Sequence, residues 1–163
     1  MKIQLNYPQS LLYDPRIAIA TWFGVGFFPF APGTMGSIVA VLLAWPISQY
    51  LGILGLFIGA ISVSIIGVWV SIYYEKHSQR KDSSEIVIDE VAGQWFTLLL
   101  VPPDPVYYAL GFGIFRLMDI IKPWPISFLD KKIKGGLGVV LDDCVAGIFA
   151  SLILWIIWIW TSL

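Results

Sequence analysis

Apolar residues run in long blocks along this chain, and polar positions fall in narrow clusters between them. Residues 16–30, RIAIATWFGVGFFPF, are apolar and aromatic but interrupted by glycines at 24 and 26 and by Pro29. A spanning helix needs about 20 apolar residues, so this stretch reads as an interfacial or partly inserted segment. The turn Ala31-Pro32-Gly33-Thr34-Met35-Gly36-Ser37 then opens a helix. Thr34 or Ser37 is expected to cap it, and the free N–H groups of its first turn would favour an anion. Apolar blocks at roughly 36–50, 53–74, 86–101, 106–121 and 143–160 follow. Leu51-Gly52 allows only a very short turn between the first two. Gly36 and Ala40 have the small-xxx-small spacing of close helix packing, and Pro46 predicts a kink. The blocks 86–101 and 106–121 are short for a full span, and Pro102-Pro103-Asp104-Pro105 makes them a helical hairpin. Trp155, Trp158 and Trp160 close the last block as an interfacial aromatic belt. The prediction is an all-α polytopic membrane helical bundle, one domain over residues 1–163. It has about five membrane helices, two of them short, after the interfacial segment. Residues 1–15, polar and proline-punctuated, read as a surface arm.

Composition supports the membrane reading. Hydrophobic residues make up 58% of the chain and charged residues 13%, and mean hydropathy is +0.80. Soluble domains carry about 25% charged residues. The net charge of −1 gives no basic footprint, and no nucleic-acid partner is expected. A single cysteine, Cys144, cannot close an internal disulfide and reads as a small packing residue. The first 20 residues lack the continuous apolar core of a secretory signal. With a cytoplasmic N-terminus and five alternating helices, every Lys and Arg falls on one side. These are Lys2, Arg16, Lys76, Arg80, Lys81, Arg116, Lys122, Lys131, Lys132 and Lys134. The positive-inside rule favours that orientation.

The same reading brings the acidic residues to one layer. Asp89 and Glu90 begin the third block, Asp119 ends the fourth, and Asp142 and Asp143 begin the fifth. Clustered carboxylates repel unless they are protonated or bridged by a cation, and oxygen ligands of this kind suit Mg²⁺. Ordinary helix-end charges are the alternative for Glu90, Asp142 and Asp143, because acidic residues favour helix N-termini. That account fails for Asp119, near a helix C-terminus. Arg116 and Lys122 flank Asp119 at a spacing of three and share its helix face. Both could meet phosphate oxygens, or Arg116 could neutralise Asp119 and Lys122 snorkel to lipid headgroups. Gly33, Thr34 and Ser37 are further phosphate-binding candidates. Gly135-Gly136-Leu137-Gly138 could approach a phosphate or serve as a flexible turn. Lys131, Lys132 and Lys134 read as an anionic-lipid patch or a simple orientation signal. His77, the only histidine, falls in a polar loop from Glu75 to Glu85 and reads as a surface residue.

Taken together, four stretches give the chain a family resemblance. FPFAPGTMGS (28–37), IVIDEVAGQW (86–95), FRLMDIIKPWPI (115–126) and GGLGVVLDDCVAG (135–147) occur in order. With them the chain resembles phosphatidylglycerophosphatase A, a bacterial membrane enzyme family. The resemblance implies Mg²⁺-dependent removal of the terminal phosphate from phosphatidylglycerophosphate, giving phosphatidylglycerol. It also implies an inner-membrane, multi-pass location, and an active site that includes Asp89, Glu90, Asp119, Asp142 and Asp143. The residues themselves place that site at the cytoplasmic face. Another membrane lipid phosphotransferase would use aspartates at repeated helical spacing in one longer motif, which is not found here. A transporter would need polar residues through the full membrane depth, whereas the far side carries only Asp104. A non-enzymatic lipid-binding protein is the remaining alternative.

Overall fold

The computed structural model describes residues 14–79 and 83–163, and among them every regular element is helical. Of the surface arm expected over residues 1–15, positions 1–13 lie outside the described residues, as do Arg80 and Lys81. The helices are α1 (Pro15–Ala20), α2 (Pro32–Ser78), α3 (Ile88–Thr97), α4 (Pro105–Ile121), α5 (Ile126–Lys132) and α6 (Gly136–Ser162). A 3₁₀ turn, Val25–Phe27, lies between α1 and α2.

α2 is two antiparallel arms rather than one rod. Its only non-helical backbone is at Gly52, with φ 65° and ψ −166°, a conformation that glycine adopts without steric cost. The packing shows the reversal. At the start of α3, Gly36 lies against Val87 and Gly67 against Ile88. One to two turns further along α3, Trp95 donates its indole N–H to the Ala40 carbonyl at 2.9 Å, and Gly59 meets the same ring. The first arm therefore runs with α3 and the second against it. The expected break at Leu51-Gly52 is present, and Pro46 lies within the first arm, whose backbone φ/ψ stay helical there.

α3 forms the centre of the bundle. Nine of its ten residues are buried, including Asp89, Gln94 and Thr97. Polar groups at membrane depth are tolerated where protein surrounds them. The helix is shorter than the 86–101 block: Val87 is not yet helical, its N–H donating to the Ala20 carbonyl at 3.0 Å, and the chain turns after Thr97. α6 crosses α3 at glycine-lined contact. A side chain on Gly147 would run into the Gly93 carbonyl, and one on Gly93 would lie 2.6 Å from the Asp143 carbonyl. At the far end, Tyr107 at the start of α4 shares a 2.8 Å hydrogen bond with Thr161 at the end of α6. Asp104 caps α4 there, accepting from Val106 N–H at 2.8 Å.

α2 and α6 are each long and apolar enough to cross a membrane. Ten residues of α3 rise only about 15 Å, half a hydrocarbon core of about 30 Å. The protein is an all-α helical membrane protein with long outer helices around a short polar one. Residues 16–30 form α1 and the 3₁₀ turn, with Ile17 and Ala20 packed into the core and Phe23 and Phe30 exposed. Asp14 fastens this segment to the second arm of α2. It pairs with Arg16 at 2.8 Å and accepts from the Tyr73 hydroxyl at 2.8 Å, while the Arg16 guanidinium lies over the Tyr73 ring. The hydrogen bond from Arg16 holds the Asp14 carboxyl well below the usual carboxylate range.

Candidate active site

One end of the bundle carries a cavity of about 530 Å³. Its wall includes Asp89 and Glu90 from α3, Asp119 from α4, Lys122 just after it, Asp130 from α5, and Asp142 and Asp143 from α6. All five sequence-predicted carboxylates therefore meet in one place. Asp89, Glu90 and Asp143 each bring a carboxylate oxygen within 4.8 Å of the others. Asp89 Oδ1, Glu90 Oε2 and Asp142 Oδ1 are buried without a hydrogen-bond partner. An oxygen-only group of this kind, with lone pairs left over, fits a hard divalent cation.

The route by which α6 delivers its carboxylates differs from the expected one. α6 begins at Gly136, not near 143, so Asp142 and Asp143 lie nearly two turns inside it. They are not helix-start charges, and the macrodipole account does not apply to them. The GGLG stretch is the first turn of this helix, and Gly135 precedes it with φ 76°. Asp89 and Glu90 do sit in the first turn of α3, as expected.

Arg116 and Lys122 part company. Lys122 was expected either to bind phosphate or to snorkel outward; its ammonium turns into the cavity rather than outward. It pairs with Asp130 Oδ1 at 2.9 Å and, more closely still, with Asp142 Oδ2. Lys122 has φ 45°, and this left-handed cap on α4 swings its side chain back over the site. Burial alone would lower the Lys122 pKa, but the hydrogen bonds to Asp142 and Asp130 outweigh it and hold the group above its ordinary value. The hydrogen bond from Lys122 draws Asp130 below its own ordinary value.

Arg116 is not part of the cavity wall. Its Nη1 is 2.8 Å from Asp119 Oδ2 and 3.9 Å from Glu90 Oε1. The Asp119 contact is ionic without hydrogen-bond alignment, and Nε and Nη1 are buried without hydrogen-bond partners. Gly33 lies close by: a side chain there would collide with the Glu90 carboxylate and lie 3.4 Å from Arg116 Nη1. The cap expected from Thr34 or Ser37 is absent. The helix starts from Ala31 without a side-chain cap, and the buried Ser37 hydroxyl donates back to the Gly33 carbonyl at 3.0 Å. Ser37 is the sixth helical residue, past the free N–H groups of the first turn, so its hydroxyl reaches the carbonyl four residues back.

Several cavity residues escaped the sequence reading. Glu75, Ser83, Ser84 and Asp130 line it, as does Lys134 of the expected lipid patch. Asp130 was detectable as the one acid beside a run of lysines. The buried Gln94 was detectable as an amide four residues after Glu90 inside an apolar block. His77 is in the last turn of α2 rather than in a loop, stacked on Tyr73 with ring centroids 3.8 Å apart, and does not line the cavity. Cys144 is buried with its sulfur 3.3 Å from the Ser64 hydroxyl, as a packing residue would be.

The phosphatidylglycerophosphatase A family pattern matches residues 18–158. Phosphatidylglycerophosphatase A of Escherichia coli strain K12 is 37% identical over 152 residues, covering 88% of this chain and 84% of that protein. The Haemophilus influenzae protein of the same name is 31% identical over 150 residues, covering 91% and 92%. A putative phosphatidylinositol-3-phosphatase of Bacteroides thetaiotaomicron is 32% identical over 145 residues, covering 85% and 90%. No solved structure matches the chain. The cavity carboxylates all lie within the matched residues, and the chain belongs to the phosphatidylglycerophosphatase A family.

Proposed function

We propose that this protein hydrolyses the terminal phosphomonoester of phosphatidylglycerophosphate, yielding phosphatidylglycerol and inorganic phosphate, at the cytoplasmic face of a bacterial inner membrane. Family membership supports the substrate class. The observation that carries the reading is the convergence of five carboxylates and Lys122 on one cavity at the end of a membrane bundle.

In this reading Asp89, Glu90 and Asp143 hold Mg²⁺. When bound, the ion would polarise the phosphoryl oxygens and offset their charge. Lys122 brings a fixed positive charge to the same oxygens and keeps Asp142 and Asp130 in place. Asp119 and Asp142, which lie outside the trio, are the candidates for handling the proton of the attacking group. The net step breaks the bond between phosphorus and the glycerol oxygen. Phosphorus gains a hydroxyl from water, and the glycerol oxygen leaves with a proton. Phosphoryl transfer needs mainly positioning and charge neutralisation, which this residue set supplies. Gly33 lies beside Glu90 and Arg116, and the helix end that it shares with Thr34 and Ser37 favours an anion. The Lys and Arg asymmetry supports the cytoplasmic orientation.

The test is phosphate release from phosphatidylglycerophosphate by the purified protein in detergent micelles, with Mg²⁺ and with a chelator in its place. We expect release that depends on the metal. Absence of release with Mg²⁺, or equal release in chelator, would overturn the corresponding part of the proposal.

A further inference from the structure

The cavity is larger than a metal ion and one phosphate need. At about 530 Å³ it falls among pockets of about 300–1,000 Å³, which enclose a whole small molecule. Two lysines, Lys122 and Lys134, line it among seven carboxylates. Lys122 is already engaged, its ammonium pairing with Asp130 Oδ1 and Asp142 Oδ2. Lys134 has no ion pair among the described residues, and its ammonium donates only to the Asp130 backbone carbonyl, at 3.3 Å. Asp130 thus holds both cations, one by its side chain and one by its main chain. The two ammonium groups are separated by no more than one residue and two hydrogen bonds. They border different depths of the cavity. Lys134 is exposed, whereas Asp142, which Lys122 meets, is buried with Asp89 and Asp143.

We propose that Lys134 determines specificity by binding the phosphodiester of the lipid headgroup, while the phosphate that leaves sits with Lys122 and the trio. The inference rests on the proposed function, because it divides that substrate between two cations. The substrate's chemistry asks for two. Phosphatidylglycerophosphate carries a phosphodiester and a phosphomonoester, joined by a three-carbon glycerol. A diester brought against a wall rich in carboxylates is repelled unless a cation faces it. Lys134 supplies that cation: a compact ammonium with three donors, of which one is in use. The short glycerol bridges the gap between two ammonium groups that share Asp130. The difference in depth also matches. The terminal phosphate reaches in to the buried trio. The diester stays at the exposed lysine, and the acyl chains remain outside the protein. A lipid phosphomonoester without the diester leaves Lys134 unused, so this contact favours phosphatidylglycerophosphate over it.

Lys134→Gln removes the charge at an exposed position, and Lys134→Arg restores it. Lys76→Gln controls for net charge, because Lys76 is exposed at the same end of the bundle but outside the cavity wall. The measurements are direct titrations of the purified protein in detergent. One ligand is short-chain phosphatidylglycerol, which has the diester alone, and the other is inorganic phosphate. We expect Lys134→Gln to bind phosphatidylglycerol at least about tenfold more weakly and phosphate within about twofold of wild type, the contrast between a charged hydrogen bond and a distant exposed charge. Lys134→Arg should regain most of the phosphatidylglycerol binding, and Lys76→Gln should match wild type for both ligands. With phosphatidylglycerophosphate, Lys134→Gln should raise KM and leave kcat near wild type, since the diester does not react. Unchanged phosphatidylglycerol binding in Lys134→Gln, equal weakening of both ligands, or the same loss in Lys76→Gln would overturn the inference. Failure of Lys134→Gln to fold, read from thermal unfolding, would assign Lys134 to the scaffold and also overturn it. The titrations need no turnover. Wild-type protein that shows the Lys134-dependent split but releases no phosphate would refute the proposed hydrolysis and leave the subsite standing.

Discussion

Asp89 separates a metal-binding site from a merely acidic one. It is buried, one of its oxygens has no partner, and it shares a small space with Glu90 and Asp143. Three carboxylates this close repel one another, so a protein without a ligand here carries an electrostatic load. Asp89→Asn removes one charge and keeps the shape. We expect it to lower phosphate release by at least about a hundredfold, the upper end of what the loss of even an outer-shell partner costs a metal site. The unfolding temperature of metal-free protein should stay level or rise. A cation that binds only the folded state adds stability by mass action, and the upward shift that Mg²⁺ produces in wild-type protein should be absent in Asp89→Asn. Near-wild-type turnover would remove Asp89 from the site. A large fall in metal-free stability would make it a structural residue.

At the level of elements, the geometry of the site depends on how closely α3 and α6 approach. Gly93 and Gly147 set that distance, because any Cβ there would strike the backbone of the opposite helix. Asp143 lies one turn before Gly147 on α6, and Asp89 one turn before Gly93 on α3. Whatever parts the glycines also parts the carboxylates. Gly147→Ala should therefore cost about 1–3 kcal/mol, the range for overpacking, and should lower activity with it. Gly113 on α4 is the control, since nothing lies within 4 Å of an added Cβ there. Gly113→Ala should be neutral or stabilising by up to about 1 kcal/mol, from helix propensity. Unfolding temperatures and phosphate release for the pair provide the check, and equal effects at both positions would show that helix approach is not what holds the trio together.

Over the whole molecule, the two ends of the bundle are chemically unlike. The cavity end holds Arg116, Lys122, Lys131, Lys132 and Lys134, whereas the far end has the Gly52 reversal, the 102–105 turn and the close of α6. From that asymmetry we propose an orientation with the cavity inside the cell. A cysteine at the exposed Pro102 leaves the Asp104 cap intact. In a Cys144→Ala background, Pro102→Cys should react with a membrane-impermeant thiol reagent in intact cells. Lys132→Cys should react only after permeabilisation. The reverse pattern would put the active site on the outer face.

The linear pattern alone determined the helical class, the reversal at Gly52, the hairpin at Pro102–Pro105 and the gathering of five carboxylates at one end. These follow from block length, breaker residues and charge asymmetry, all of which are local or one-dimensional. Tertiary structure alone decided which carboxylates form the trio, because that depends on the rotation of each helix about its axis. It decided that α3 is enclosed on nearly every side, which makes Asp89 and Gln94 tolerable at their depth. It also decided that Lys122 lines the cavity while Arg116, alike in charge and six residues before it, pairs with Asp119 and Glu90 without lining it. The cause is the left-handed cap at Lys122, which turns one cation back over the cavity while the helix holds the other against Gly33. Such a turn is set by how the following chain packs across α6, and no spacing along the sequence encodes it.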